Sequence, residues 1–259
     1  GIGLAFIALC LWAIDAECPL FDKLGKSGRT AMTLAEQQAF RAEFRHTIPA
    51  GYSGVRHGLT ALGIGLAFIA LFLWALDAPL AWTDLAMIAV GIVGWNFVEW
   101  WVHARVLHQP RKNRIARALY QRHTHTHHRF FTRELARYEG TRDLKIVFFP
   151  VFALPATLLL STPVAGLAWL AISANAALLL LATVAAMYIL FEVMHFCAHM
   201  PDNAFVRHAP LIAMMRRHHI AHHEPSRMMR ANMNFTFPLF DWLFGAVDTG
   251  PAPAEQPAE

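Results

Sequence analysis

A chain of 259 residues that is 56% hydrophobic and only 15% charged is too apolar for an ordinary soluble domain. Its formal charge of +4 makes no case for a nucleic-acid partner, because the basic residues are distributed by their position between apolar segments. Three unpatterned cysteines, Cys10, Cys18 and Cys197, point to neither a disulfide framework nor a thiolate metal site, so nitrogen ligands must carry any metal.

Residues 1–16 (GIGLAFIALCLWAIDA) recur at 63–78 (GIGLAFIALFLWALDA) with differences only at Cys10/Phe72 and Ile14/Leu76. The first copy stops at Asp15 and lacks a basic n-region, so it does not read as a secretory signal; its short length favours a buried or interfacial stub, with a spanning helix left open. The second is extended upstream to Leu59, and the uncharged run Leu59–Leu76 is just long enough to cross. A second span runs from Leu85 to Val98 and continues through Glu99, Trp100 and Trp101 to His103, the paired tryptophans suiting a water interface.

Residues 109–145 are polar and basic, and then Ile146–Phe191 holds no charge at all, which is room for two helices with a turn between Thr162 and Asn175. Pro150 and Pro155 fall inside the third span on this reading, where neighbouring helices can satisfy freed carbonyls. From Glu192 the chain is mostly polar and ends in a Pro/Ala/Glu tail.

Of the 22 Lys and Arg, six lie between Lys23 and Arg56, eleven between Arg105 and Lys145 and five between Arg207 and Arg230. None lies in the two connections at 77–84 and 162–175. The positive-inside rule therefore predicts four spans with both ends and the middle loop in the cytoplasm.

Twelve of the fifteen histidines fall in four clusters: His103/His108, His123/His125/His127/His128, His195/His199 and His218/His219/His222/His223. The predicted topology brings all four out on the cytoplasmic side. At 3.6 residues per turn, His195 and His199 share a helix face, as do His219, His222 and His223. His103 and His108 are five apart, about 140° around an ideal helix, so sharing one metal requires a helix end or a bulge. So many imidazoles exceed what one tetrahedral ion uses, and two metals are the natural count. Glu99, four before His103, and Glu192, three before His195, are placed to accept the second ring N–H of a ligand. Glu224 before Pro225 reads equally as a solvated cap.

The segments EWWVHARVLH (99–108), RHTHTHH (122–128), FEVMHFCAH (191–199) and HHIAHH (218–223), with NFTFPLFDWLFGAVDT (234–249) containing Asp241, Trp242 and Phe244, resemble the fatty acid hydroxylase superfamily, most closely its fatty acid 2-hydroxylase branch. The resemblance covers about 55–249, a membrane hydroxylase domain. It leaves 1–54 as an amino-terminal region of apolar stub plus polar segment, and 250–259 as a disordered tail.

It implies an all-α integral membrane fold, a four-helix transmembrane bundle with a cytosolic, histidine-rich di-metal cap. It implies ten ligands: His103, His108, one of His123 and His125, His127, His128, His195, His199, His219, His222 and His223. The family's second box usually reads HxxHH, whereas residue 124 is Thr here, so His123 with an HxxxHH spacing and His125 with HxHH are both open. His218 is a further alternate, and His208 is structural or substrate-facing.

The implied activity is O2-dependent hydroxylation of a C–H bond of a lipid drawn from the bilayer. Its cofactors are two metal ions, iron for the oxygen chemistry and zinc as an alternative occupant, with no catalytic side chain required beyond the metal centre. Nothing resembles a fused haem domain, so electrons must come from a separate donor or reductase. Sterol or carotenoid substrates fit the same chemistry. A membrane metal transporter or sensor is the rival from another class; it requires ionisable groups along a path at mid-membrane, which the charge-free run 146–191 lacks.

Overall fold

A computed structural model of the protein describes residues 32–110, 112–248 and Gly250. The repeat copy at 1–16, Cys10, Cys18 and the tail beyond Gly250 lie outside the described residues. Every regular element among the described residues is helical.

Helix α1 (Leu34–Thr47) starts at a reciprocal cap, in which Thr33 N donates to Glu36 Oε2 at 2.8 Å while the Thr33 hydroxyl accepts from Glu36 N at 3.3 Å. Helix α2 (Gly54–Trp74) is capped by Ser53, and α3 (Trp82–Val102) runs on into a π-helical segment, His103–Leu107. A short α4 (Arg114–Tyr120), capped by Asn113, passes into a second π-helical segment, Gln121–His127, and a last turn at His128–Phe130. Then come α5 (Ala153–Ala171), α6 (Ala174–His199), α7 (Ala204–His208), α8 (Pro210–His222) and α9 (Leu239–Leu243).

Four helices are long and apolar enough to cross a membrane: α2, α3 with its π extension, α5 and α6. The turn between α5 and α6 falls at Ile172 and Ser173, inside the predicted 162–175 window. The third span begins at Ala153, later than the charge-free run suggests. Ile146, Val147 and Phe148 are buried with Phe40 and Phe44 of α1, so the front of that run builds the cap and not the bundle. Pro150 accordingly precedes the helix, and Pro155 sits in its first turn, where a missing N–H costs little.

Helix α6 packs against α2, α3 and α5 and is the most buried of the four spans. Close approach is bought by glycine: a Cβ on Gly65 would stand 2.6 Å from Ile189 Cδ1, and one on Gly91 2.8 Å from Thr183 Cγ2. At the end of the bundle away from the histidines, Asn175 exchanges hydrogen bonds with the backbone of Asp77 (2.8 and 2.9 Å), and the Ser173 hydroxyl donates to Asp84. Trp74 and Trp82 there are 84% and 79% exposed, as expected of rings that meet a bilayer interface rather than a protein neighbour.

The cap has its own core, in which α1 packs Phe40, Phe44 and Ile48 on Phe130, Phe131 and Leu144. Arg41, 1% exposed, reaches Glu139 (3.1 Å) and Asp143 (3.9 Å), and its guanidinium stacks on Phe130. Helix α1 is thus packed on the cap.

Candidate metal centre

The two π-helical segments answer the spacing problem. A π turn closes i to i+5, so residues five apart come onto one face. His103 and His108 do so, with Nε2 atoms 3.0 Å apart, and so do His123 and His128, at 3.1 Å. The second segment also keeps His127 beside His123, with rings stacked at 5.3 Å. His195 and His199 come from the last turns of α6, and His219, His222 and His223 from the end of α8.

These ten imidazoles converge. His103, His108, His123, His128 and His222 form one group and His127, His195, His199 and His219 a second, all buried, with the ligating atoms of each group within 4.8 Å of one another. His223 joins the second group through His219, Nε2 to Nε2 at 3.0 Å, and stacks on His128 of the first at 4.3 Å. Of the two alternates, His125 turns its ring to Tyr120 (4.9 Å), and His218 bonds Asp241 at 2.9 Å; neither enters a group. His208 is exposed on α7.

Ring tautomers follow from the outer partners. Nδ1 of His103 donates to the carbonyl of Met233 (2.6 Å), that of His199 to Ala136 (2.6 Å), that of His222 to Ala231 (2.8 Å), and that of His223 to Phe131. His127 Nδ1 lies 3.4 Å from the carbonyl of Ile146. The Thr124 hydroxyl spends its proton on the carbonyl of Leu107 (2.6 Å), so it can only accept from His108 Nδ1 (3.3 Å).

A carbonyl cannot donate, so in each of these neutral rings the proton is on Nδ1 and Nε2 carries a bare lone pair. Yet His108 Nε2 stands 3.0 Å from that of His103 and 2.9 Å from that of His222. Two facing lone pairs at this distance have no hydrogen to share, and a cation between them removes the conflict. Ligands about 2.0–2.1 Å from one ion and at right angles lie about 3 Å apart. The donor set thus fits a metal.

Burial holds the ring pKa values of His108, His123, His127, His128, His219 and His223 well below the ordinary histidine range, and neighbouring imidazoles push the same way. Burial brings His222 down to about 4. The rings are neutral at physiological pH, which is the form that binds metal.

Glu99 and Glu192 do not take the role expected of them. Glu99 accepts from Trp95 Nε1 (2.9 Å), Thr236 N (3.0 Å), the Thr236 hydroxyl (2.8 Å) and Phe235 N, which fastens the 234–236 loop to α3. Glu192 accepts from the Tyr188 hydroxyl (2.9 Å) and Phe149 N (3.2 Å). Backbone carbonyls take the ring protons of His103, His199, His222 and His223 instead, while Nδ1 of His195 has no hydrogen-bond partner among the described residues, and the carboxylates hold loops that flank the metal-facing rings. Glu224, rather than capping a helix end alone, pairs with Arg133 at 3.5 Å.

Polar residues to which the sequence assigned no role at the site complete this support. Asp241, fully buried, accepts from Met233 N (2.9 Å), Asn234 N (2.8 Å) and His218. Asn232 sits at φ 58°, a left-handed conformation that Asn tolerates, and its side chain ties His218 O to the backbone of Asp248. The run of asparagines among aromatics at 232–237 was the available signal.

A family model described as fatty acid hydroxylase matches residues 88–246, more than half of the chain. The chain belongs to the fatty acid hydroxylase family. Comparison with curated proteins and with solved structures finds no match to either. The matched residues of this fatty acid hydroxylase family member take in both histidine groups, the two π segments and the Asp241 loop. Helices α1 and α2 lie before them. Family and apolar helices together make the chain an integral membrane protein with a hydroxylase- or desaturase-type centre.

Proposed function

We propose that the protein is a di-iron hydroxylase that inserts oxygen into a C–H bond of a membrane lipid, in the simplest case the acyl chain of a fatty acid or complex lipid. The observation that carries this reading is the convergence of ten neutral, buried imidazoles into two adjacent groups at one end of four candidate spans. Those residues, His103, His108, His123, His128 and His222 with His127, His195, His199, His219 and His223, would hold two ions. Iron in such a nitrogen-rich site supplies redox chemistry toward O2.

The chain's own work is orientation and exclusion. The carbonyls of Phe131, Ala136, Ala231 and Met233 fix the rings before any ion arrives, so binding costs little reordering. Phe235 lies against His103 (4.6 Å), His195 (5.4 Å) and His219 (4.7 Å), spanning both groups on one side. Phe191 stands behind it at 5.0 Å. This aromatic wall keeps water from the centre and presents a lipid chain with an apolar face.

The distribution of Lys and Arg supports a cytoplasmic position for the centre, where a soluble electron donor has access. A test uses the full chain expressed in a host without lipid hydroxylases, with its lipids compared by mass spectrometry against those of a His222→Ala/His223→Ala variant. The expected result is a gain of one oxygen in a lipid with the wild type alone, and two metals per purified chain. No oxidised lipid from a preparation holding two metals and supplied with a reductant overturns the reading.

A further inference from the structure

Between the first turns of α2 and α5 lies a cavity of about 480 Å3, within the range of small-ligand sites. Arg56, Arg122 and Lys145 line it, and no Asp or Glu is among its lining residues. The rest of the wall is largely apolar, with Leu119, Phe149 and Phe152. Ser53 and Phe152, the residues preceding α2 and α5, both face it, so two long helices direct their positive ends at one space. Charge and dipole agree that the occupant is an anion, and the apolar wall requires it to be an amphiphile.

The cations are held in place. Arg122 Nη2 donates to the carbonyls of Lys145 (2.9 Å) and Phe148 (2.8 Å), and Lys145 Nζ lies 5.8 Å over the Tyr52 ring. His57 Nε2 donates to the carbonyl of Phe149 (2.9 Å), so its Nδ1 accepts from the Tyr52 hydroxyl (2.9 Å), a relay that ties α2 to the strand of chain entering α5.

Only a thin layer separates this cavity from the metal centre. Arg122 adjoins His123, Lys145 adjoins the Ile146 whose carbonyl faces His127, and the Phe149 ring meets Phe191 (5.5 Å), which meets His195 (6.0 Å).

We propose that this cavity binds the anionic head of the lipid substrate, a carboxylate or phosphate set against Arg56, Arg122 and Lys145 with the start of its chain along Leu119, Phe149 and Phe152. The word substrate rests on the hydroxylase reading above; the anionic-lipid site itself does not.

The test measures equilibrium binding of radiolabelled palmitate to the purified full chain in detergent. Hexadecanol, dioctanoyl phosphatidate and inorganic phosphate serve as competitors, and metal content is read alongside. Palmitate and the phosphatidate should bind at least about tenfold more tightly than hexadecanol, the worth of one charge-assisted contact, and phosphate alone should compete poorly. Arg56→Gln/Lys145→Gln should weaken palmitate roughly tenfold or more while hexadecanol and metal content stay unchanged. Arg56→Gln alone, at an exposed rim position, should give part of the same loss if the double variant does not fold.

Equal binding of palmitate and hexadecanol, or no effect of either variant, overturns the site. Phosphate competing as well as the lipids makes it a free-anion site and overturns the lipid assignment. A variant with weakened palmitate binding but an unchanged KM for lipid oxidation overturns the substrate role and leaves the hydroxylase reading standing. A wild type that binds palmitate as expected yet oxidises no lipid sinks the hydroxylase reading and keeps the anionic-lipid cavity.

Discussion

The span bundle and the cap are built of opposite materials. In the bundle, small residues let helices touch: Gly65 and Gly91 admit Ile189 and Thr183, and Ala165, Ala168 and Ala176 pack around Met87 and Leu180. In the cap, buried polar groups do the holding, among them Arg41, Asp143, Asp241, Asn232, Asn234 and the histidines. Shape complementarity can be re-made by neighbouring side chains, whereas a buried charge or hydrogen-bonding group that loses its partner has no substitute. The cap should therefore respond steeply to single changes that the bundle would absorb.

The sharpest break is at a ligand. His103→Ala should abolish lipid oxidation, at least about 100-fold, and lower the metal content measured on purified protein, while the helical circular dichroism of the bundle persists. Asp241→Ala comes next, because it strands two buried backbone N–H groups and His218 together. A loss of roughly 3–5 kcal/mol in unfolding free energy is expected, with metal lost as well, since the loop it secures carries the carbonyls that orient His103 and His222.

Acid should separate the two regions without mutation. His222 is held at about 4 in the folded chain, against about 6.5 for a free imidazole. Between those values the unfolded state binds the additional proton, so stability is full above about pH 6.5 and falls as pH drops toward 4, by roughly 3 kcal/mol for this ring alone. Metal should leave in the same window, earlier than the bundle loses helix; metal content and circular dichroism on one pH series check the order.

Gly91→Val attacks the other region. Overpacking against Thr183 should cost about 1–3 kcal/mol and lower the melting midpoint, yet leave metal stoichiometry intact. The smallest effect is expected of Thr124→Val, which keeps the shape but removes the acceptor for His108 Nδ1. Metal affinity should fall about tenfold, read by chelator competition, with little change in stability. A Gly91→Val variant that loses metal as readily as His103→Ala does would erase the contrast between the regions.

Much of this was legible beforehand, and the exceptions share a cause. The four spans and the turn at Ile172 and Ser173 follow from the absence of charge over lengths that cross a bilayer, a property each residue carries individually. The histidine clusters declared themselves by type and spacing. What stayed hidden depends on pairs distant in sequence. Ile146–Phe148 read as membrane because they are apolar, and only contact with α1 assigns them to the cap. Glu99 and Glu192 sit at helical spacing from histidines, but they accept instead from Trp95 and Tyr188, each one turn back on the same helix, and from backbone N–H groups at 235, 236 and 149, and no pattern of side chains reports a backbone amide. The choice between His123 and His125 needed the local helix type, since the two face different sides of one π turn.

That wider turn changes what insertions and deletions mean here. A residue added to an α-helix ordinarily rotates everything beyond it by about 100° and scatters a face. When the helix widens locally to take the additional residue, the rotation is absorbed where it arises, and the register downstream survives. The HxxxHH box at His123, one residue longer than the HxxHH of the family it resembles, brings its histidines to a common face in this way. The additional residue in this box is thus no evidence of a lost site.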